Sequence, residues 1–294
     1  MVPRKLYKYR AFSNLTLDML VSDSLFFADP TTFNDPLDTN PTLEADLPVE
    51  KLERIVTTFV ERRVTAEMEA AAKTIRYQGP KTLSRIKTLS QKKAADTITD
   101  IAYHATNPDY EFPNPHKALL KSWIERELLR QYEKGLVSLA QRAACPLMWS
   151  HYGDQHRGLC LGYSVQEDDA KSLHKVAYGG SRLVKISLVE RMLDGDEEAR
   201  RLVDDAVLLR KAKSWSYERE WRLIGPRGLQ DAPIELEEVI FGLRCEASVR
   251  YAIMSALEGR AQPVRFFEIR SEPATFRLNK LSDVSARGTS ELIS

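Results

Sequence analysis

The chain has 294 residues, and 43 Lys and Arg against 42 Asp and Glu leave a net charge of +1. That balance excludes a polybasic tail protein and an acidic disordered one, and 43% apolar with 29% charged residues is a globular composition. A chain of this length buries roughly 75% of its unfolded surface, so the core needs no disulfide support. Cys145, Cys160 and Cys245 are odd in number and show no CxxC spacing, which excludes a secreted disulfide framework and a zinc ribbon. No apolar run approaches the ~20 residues of a transmembrane helix, and no signal peptide is legible. The expectation is a cytoplasmic protein with no membrane partner.

Leu6-Tyr7-Lys8-Tyr9-Arg10 reads as a strand, and Ser24-Leu25-Phe26-Phe27-Ala28 reads as a second one after a short helix. Asp29-Pro30 ends it, and Phe33-Asn34-Asp35-Pro36 reads as a turn, since the residue before proline is pushed out of the helical region. From Pro48 the spacing of Leu52, Ile55, Val56 and Phe59 predicts a helix that breaks at Gln78-Gly79-Pro80. A more polar helix follows toward Tyr103, and Asn114-Pro115 caps a third that is expected to stop at Gly135. Strands are then expected at 136–140, 159–163, 176–178, 183–186, 221–224, 239–241 and 264–267, with helices near 188–210 and 247–257. The organisation expected is one α+β domain over 1–294, with a core of 1–45 and 136–280 and a helical insert at 46–134.

Between Lys73 and Lys93 lie seven basic residues and no acid. A phosphate-rich partner would use such a run, but the solvated face of an insert helix is the simpler reading. The chain carries no GxxxxGK[ST], GxGxxG or HExxH, so it lacks the main signatures of P-loop, Rossmann and zincin sites. Gly158-Leu159-Cys160-Leu161-Gly162 mimics a nucleophile elbow, yet its apolar alternation runs straight through as one strand. His151 and His156 are five apart, about 140° round a helix, so they miss a shared face for a metal.

Three segments concentrate aromatic and polar residues: Phe33 to Asp38, Met148 to Tyr152, and Ser214 to Arg222. Rings interleaved with hydrogen-bonding groups suit a pocket for a flat, polar ligand. As a strand, 218–222 would set Glu218, Glu220 and Arg222 on one face.

These blocks, with Leu6 to Arg10 and His156-Arg157-Gly158, resemble the bacterial family called domain of unknown function 2971, over about 5–40 and 136–245. A further resemblance is to ADP-ribosyltransferases, whose arginine-type members carry an Arg on the first strand, a Ser-centred motif and a late Glu-x-Glu. Arg10, Ser150 and Glu218-Arg219-Glu220 fall in that order. Another branch uses His, Tyr and Glu, and here His151 and Tyr152 stand adjacent instead of on two strands.

The resemblance implies a mixed or antiparallel ADP-ribosyltransferase-like sheet and an enzyme that uses NAD as substrate, with no metal. Such enzymes serve as toxins or anti-phage effectors, which implies a protein or nucleic-acid acceptor and an antitoxin or regulatory partner. The implied catalytic residues are Glu220, Glu218 and His151. Glu220 would stabilise the oxocarbenium-like ribose, and Glu218 would orient or deprotonate the acceptor. Arg10 would hold phosphates or ribose, and Trp149, Tyr152 or Tyr217 would stack on nicotinamide. Tyr9, Asn34, Asp35, Ser150 and Arg222 complete the cofactor-binding set. The alternatives are a metal-dependent hydrolase or nuclease using Asp35, Asp38, His151, Asp154 and His156, or a non-catalytic nucleotide-sensing module.

Overall fold

The computed structural model describes residues 2–76, 79, 81–132, 134–166 and 171–281. In chain order, β1 (Lys5–Arg10), α1 (Asn14–Val21) and β2 (Ser24–Phe27) are followed by β3 (Thr42–Glu44), α2 (Val49–Thr74), α3 (Thr82–His104) and α4 (Pro115–Gln131). Next come β4 (Lys134–Ala140), α5 (Pro146–His151), β5 (Leu159–Ser164), β6 (Leu173–Lys175), β7 (Ala177–Tyr178) and β8 (Leu183–Lys185). Then α6 (Ile186–Leu193), α7 (Glu197–Leu208), β9 (Arg210–Lys211) and a 3-10 turn (Lys213–Glu218) lead into β10 (Glu220–Pro226). The last are β11 (Gly228–Asp231), β12 (Glu235–Phe241), α8 (Ala247–Ala256), β13 (Arg265–Ser271) and β14 (Leu278–Lys280). The class is α+β, as the sequence implies.

The chain divides into two compact units, Met1–Asp38 with Glu133–Gly179 and Leu209–Ser294, and Thr39–Tyr132 with Gly180–Leu208. The sequence predicts one domain with 180–208 in its core. The stretch groups instead with the helical segment, because β8 pairs with β3 and α6 packs on α2. Lys51 and Arg54 of α2 both pair with Glu190 of α6.

The first unit is built on an eight-stranded sheet of order β14-β13-β12-β5-β1-β4-β10-β6. All neighbours are antiparallel except β12 and β13. The first strand therefore joins 134–140 and 220–226 in one sheet, although the helical segment separates them in sequence. Period-two alternation divides its faces. Leu159, Leu161 and Tyr163 join Leu6, Val137, Leu139 and Phe241 in one apolar cluster, covered by Met19 and Leu20 of α1 and Ile253 of α8. Cys160 faces the other way, into a cluster with Tyr9, Met148, Trp149 and Ile240. The straight strand excludes the elbow geometry, and burial pushes the Cys160 thiol well above its ordinary range.

In the second unit α2 packs along α3 and α4. Its buried residues Leu52, Ile55, Val56 and Phe59 are the predicted stripe. Buried Glu127 of α4 is held by Arg63 at 2.9 Å and Arg130 at 3.0 Å. The seven basic residues from Lys73 to Lys93 are all exposed. The break expected at Gln78-Gly79-Pro80 lies, but for Gly79, outside the described residues.

Two boundaries differ from expectation. Helix α4 ends before Gly135, which lies in β4; a Cβ there would meet the Phe27 Cβ at 2.6 Å, so the glycine serves close strand approach, not helix termination. The single helix expected near 188–210 is two, because Gly195 takes φ +93° and Asp196 caps α7 by accepting from the Ala199 N–H at 3.0 Å.

Candidate functional site

A cavity of about 290 Å³ opens where β1 and β4 part. Along β5, β1 keeps register from Lys5 to Arg10, but with β4 it pairs only at Tyr7↔Ala140. Its walls include Tyr7, Lys8, Tyr9, Phe33, Asn34 and Met148, and Asp38, Ser138, Tyr152, Lys211, Glu218 and Glu220 supply most of its charge and hydrogen-bonding groups.

The two glutamates do not share a strand face, as the sequence reading expected. Glu218 ends the 3-10 turn, Arg219 takes a left-handed φ of 47°, and the strand begins only at Glu220. The turn nevertheless brings both carboxylates to one cation. Lys211 Nζ lies 2.7 Å from Glu218, 3.2 Å from Glu220 and 3.4 Å from Asp38. Arg222, fully buried, donates to Glu220 from Nε at 2.8 Å and to both Asp38 oxygens from Nη2 at 2.9 and 2.8 Å. The Tyr178 hydroxyl accepts from the Glu220 N–H at 2.7 Å and holds the start of β10.

Two cations thus face three buried carboxylates. The imbalance falls on Glu218. Burial raises its pKa and the neighbouring Glu220 charge adds to that, against the pull of Lys211 and the Tyr152 hydroxyl, which donates at 2.8 Å. Burial opposes the charge on Glu220 too, but the Arg222 guanidinium and the Lys211 ammonium overcome it and hold that carboxyl below its ordinary range. One cavity therefore holds two carboxylates with opposite proton affinities.

The remaining candidates lie around this centre in different ways. Tyr152 and Asn34 line the cavity, and Asn34 hydrogen-bonds the Tyr152 hydroxyl. Tyr9 lines it partly, with its hydroxyl spent on the Arg142 carbonyl at 2.6 Å. Exposed His151 touches the ring of Tyr152 and those of Trp215 and Tyr217, of which only Tyr152 lines the cavity. Asp35 accepts from Trp215 Nε1 at 2.7 Å. Arg222 supports the site from beneath and does not line it.

Three of the candidates lie apart from the cavity lining. Trp149 is fully buried, donates Nε1–H to the Ala143 carbonyl at 2.8 Å and stacks on His156, so no ligand reaches its ring. Arg10 is absent from the cavity lining and lies near Tyr163. Ser150 is exposed, with its hydroxyl 3.4 Å from His156 Nε2, and is absent from the cavity lining. The proposed metal ligands also separate. Asp38 is taken by Arg222 and Lys211, Asp154 pairs with Arg157 at 3.1 Å, and among the described residues no three His, Cys, Asp or Glu side chains are grouped to hold a metal.

Lys8 and Lys211 are the site residues the sequence reading missed. Lys211 sits between a helix and an aromatic block with no local pattern around it. Lys8 stands between Tyr7 and Tyr9, with Lys5 and Arg10 on the same strand, so nothing local sets it apart as a site residue.

Residues 148–223 match the model of a family described as protein of unknown function DUF2971. The matched stretch carries Tyr152, Lys211, Glu218 and Glu220 of the cavity lining, and Arg222 beneath it. No curated protein and no solved structure shows a significant match to the chain. Among the described residues no helix is long and apolar enough to cross a membrane.

Proposed function

We propose that the cavity is the active site of an enzyme that cleaves a glycosidic bond, with the nicotinamide–ribose bond of NAD as substrate and a protein or nucleic acid as ADP-ribosyl acceptor. The observation that carries this reading is the pair of carboxylates, Glu218 and Glu220, driven in opposite directions within one cavity. As nicotinamide leaves with the electrons of the C–N bond, positive charge builds on the ribose. Glu220, kept ionised by Arg222 and Lys211, provides a preorganised negative charge at that point. Glu218, with its raised proton affinity, is suited to take the acceptor's proton.

Tyr7, Phe33 and Tyr152 offer apolar faces to the departing ring. The volume, about 290 Å³, is at the low end of small-molecule pockets, so it suits the nicotinamide riboside half with the adenylate outside.

Mass spectrometry of NAD incubated with the protein, with and without protein and nucleic-acid acceptors, tests the reading. Nicotinamide release is expected. Glu220→Gln should lower it about 100-fold while NAD affinity stays within a few-fold, because the interaction is confined to the transition state. Glu218→Gln should impair transfer more than NAD hydrolysis. Release at the wild-type rate from folded Glu220→Gln would remove that residue from the mechanism.

A further inference from the structure

We propose that Lys8 is a nucleophilic amine of this cavity that condenses with a small aromatic or conjugated aldehyde to form an imine, an activity independent of glycosidic cleavage. The cavity holds two lysines in opposite conditions. Lys211 is locked among Asp38, Glu218 and Glu220. Lys8 lines the same space, yet among the described residues it forms no ion pair, and its Nζ donates to the Ser138 carbonyl at 3.0 Å. It spans the gap left where β1 and β4 part after Tyr7↔Ala140. One hydrogen bond to a neutral carbonyl leaves the nitrogen free to turn toward a ligand.

The surroundings favour the neutral amine. Burial, then the positive charges of Arg10 on β1 and Lys211 on β9, outweigh the attraction of Glu220 and Glu218 and push the group down to about 7. At neutral pH a substantial share carries a free lone pair, against roughly one in a few thousand for an exposed lysine. In the condensation the Lys8 lone pair bonds to the carbonyl carbon, and the C=O π electrons move to oxygen, which takes a proton. Nitrogen gives up its two protons, water departs with the carbonyl oxygen, and a C=N bond remains with no net oxidation. Glu218, which lines the same cavity and has a raised proton affinity, would protonate that oxygen. Tyr7, Phe33 and Tyr152 select a flat side group.

The test is to incubate the full chain with benzaldehyde over a range of pH, trap with borohydride, and map the modified peptides by mass spectrometry. Expected is a saturable adduct on Lys8 that forms ahead of adducts on exposed Lys73, Lys87 and Lys92, with a rate that rises through pH 7 and then levels. Because this readout uses the unaltered protein, it does not depend on a variant folding. Lys8→Arg should abolish the adduct, and Glu218→Gln should slow it about tenfold. An adduct spread over exposed lysines without preference for Lys8, or a Lys8 rate still climbing near pH 10, overturns the proposal. Nicotinamide release from NAD, measured on the same preparation, reports separately on the glycosidic reading.

Discussion

Arg222 has no exposed surface, and it carries two carboxylates, Asp38 and Glu220, on one guanidinium. Such an arrangement adds little over an apolar core of the same volume, but removing one partner strands the others. Arg222→Met should therefore cost about 3–5 kcal/mol in urea unfolding, far more than loss of an exposed ion pair. Arg222→Lys should recover only part of it, since an ammonium cannot serve both carboxylates with a planar fork. Lys8 makes the opposite prediction. The unfolded chain holds the Lys8 proton up to about 10.4, whereas the folded protein releases it near 7. The contribution of Lys8 to stability should therefore rise with pH across that window. Lys8→Met should be more stable than wild type below pH 7, and its advantage should shrink toward pH 10, read as the difference in Tm at each pH.

The loop between α5 and β5 stores backbone strain. Asp154, Gln155 and His156 have φ of 48°, 53° and 69°, three consecutive left-handed residues of which none is glycine. Each costs roughly 1–2 kcal/mol. The loop is held by backbone bonds from the His156 N–H to the Trp149 carbonyl at 3.2 Å and from the Arg244 N–H to the His156 carbonyl at 2.9 Å. Gln155 is exposed, so Gln155→Gly should raise stability by about 0.5–1 kcal/mol in chemical denaturation. Gly158 is the reverse case. A Cβ there would meet the Arg10 carbonyl oxygen at 2.2 Å, so Gly158→Ala must push β5 and β1 apart and should cost about 1–3 kcal/mol by the same measurement.

For the whole molecule the pH dependence has a definite sign. Asp29, Asp46, Asp196, Glu220 and Glu237 all have carboxyls lowered in the folded state, by hydrogen bonds and neighbouring cations that prevail over burial. Their contribution is fully present above the ordinary carboxylate range near 4 and is lost as pH falls through the lowered values. Glu218, raised, works the other way, and it is outnumbered. Tm measured by calorimetry should accordingly fall as pH is taken from about 5 toward 3.

The sequence by itself determined most of the elements, because apolar periodicity and local capping are short-range. Leu52 to Phe59 marked α2, Asn114-Pro115 marked the start of α4, and the alternation of Leu159, Leu161 and Tyr163 marked β5. It also drew Glu218, Glu220, Arg222 and Tyr152 together as one candidate site, since charged residues crowded among aromatics are visible without a fold. It misread the residues whose role depends on partners far along the chain. Trp149 and Arg10 have the right chemistry for a ligand, but only tertiary packing buried the one, on α5, in the core and left the other out of the cavity lining. Lys8 and Lys211 lie about 200 residues apart. Only the gap between β1 and β4, and the left-handed step at Arg219, placed them on one cavity with the two glutamates. Charge placement of that kind is a property of strand order and register, and no local pattern encodes either.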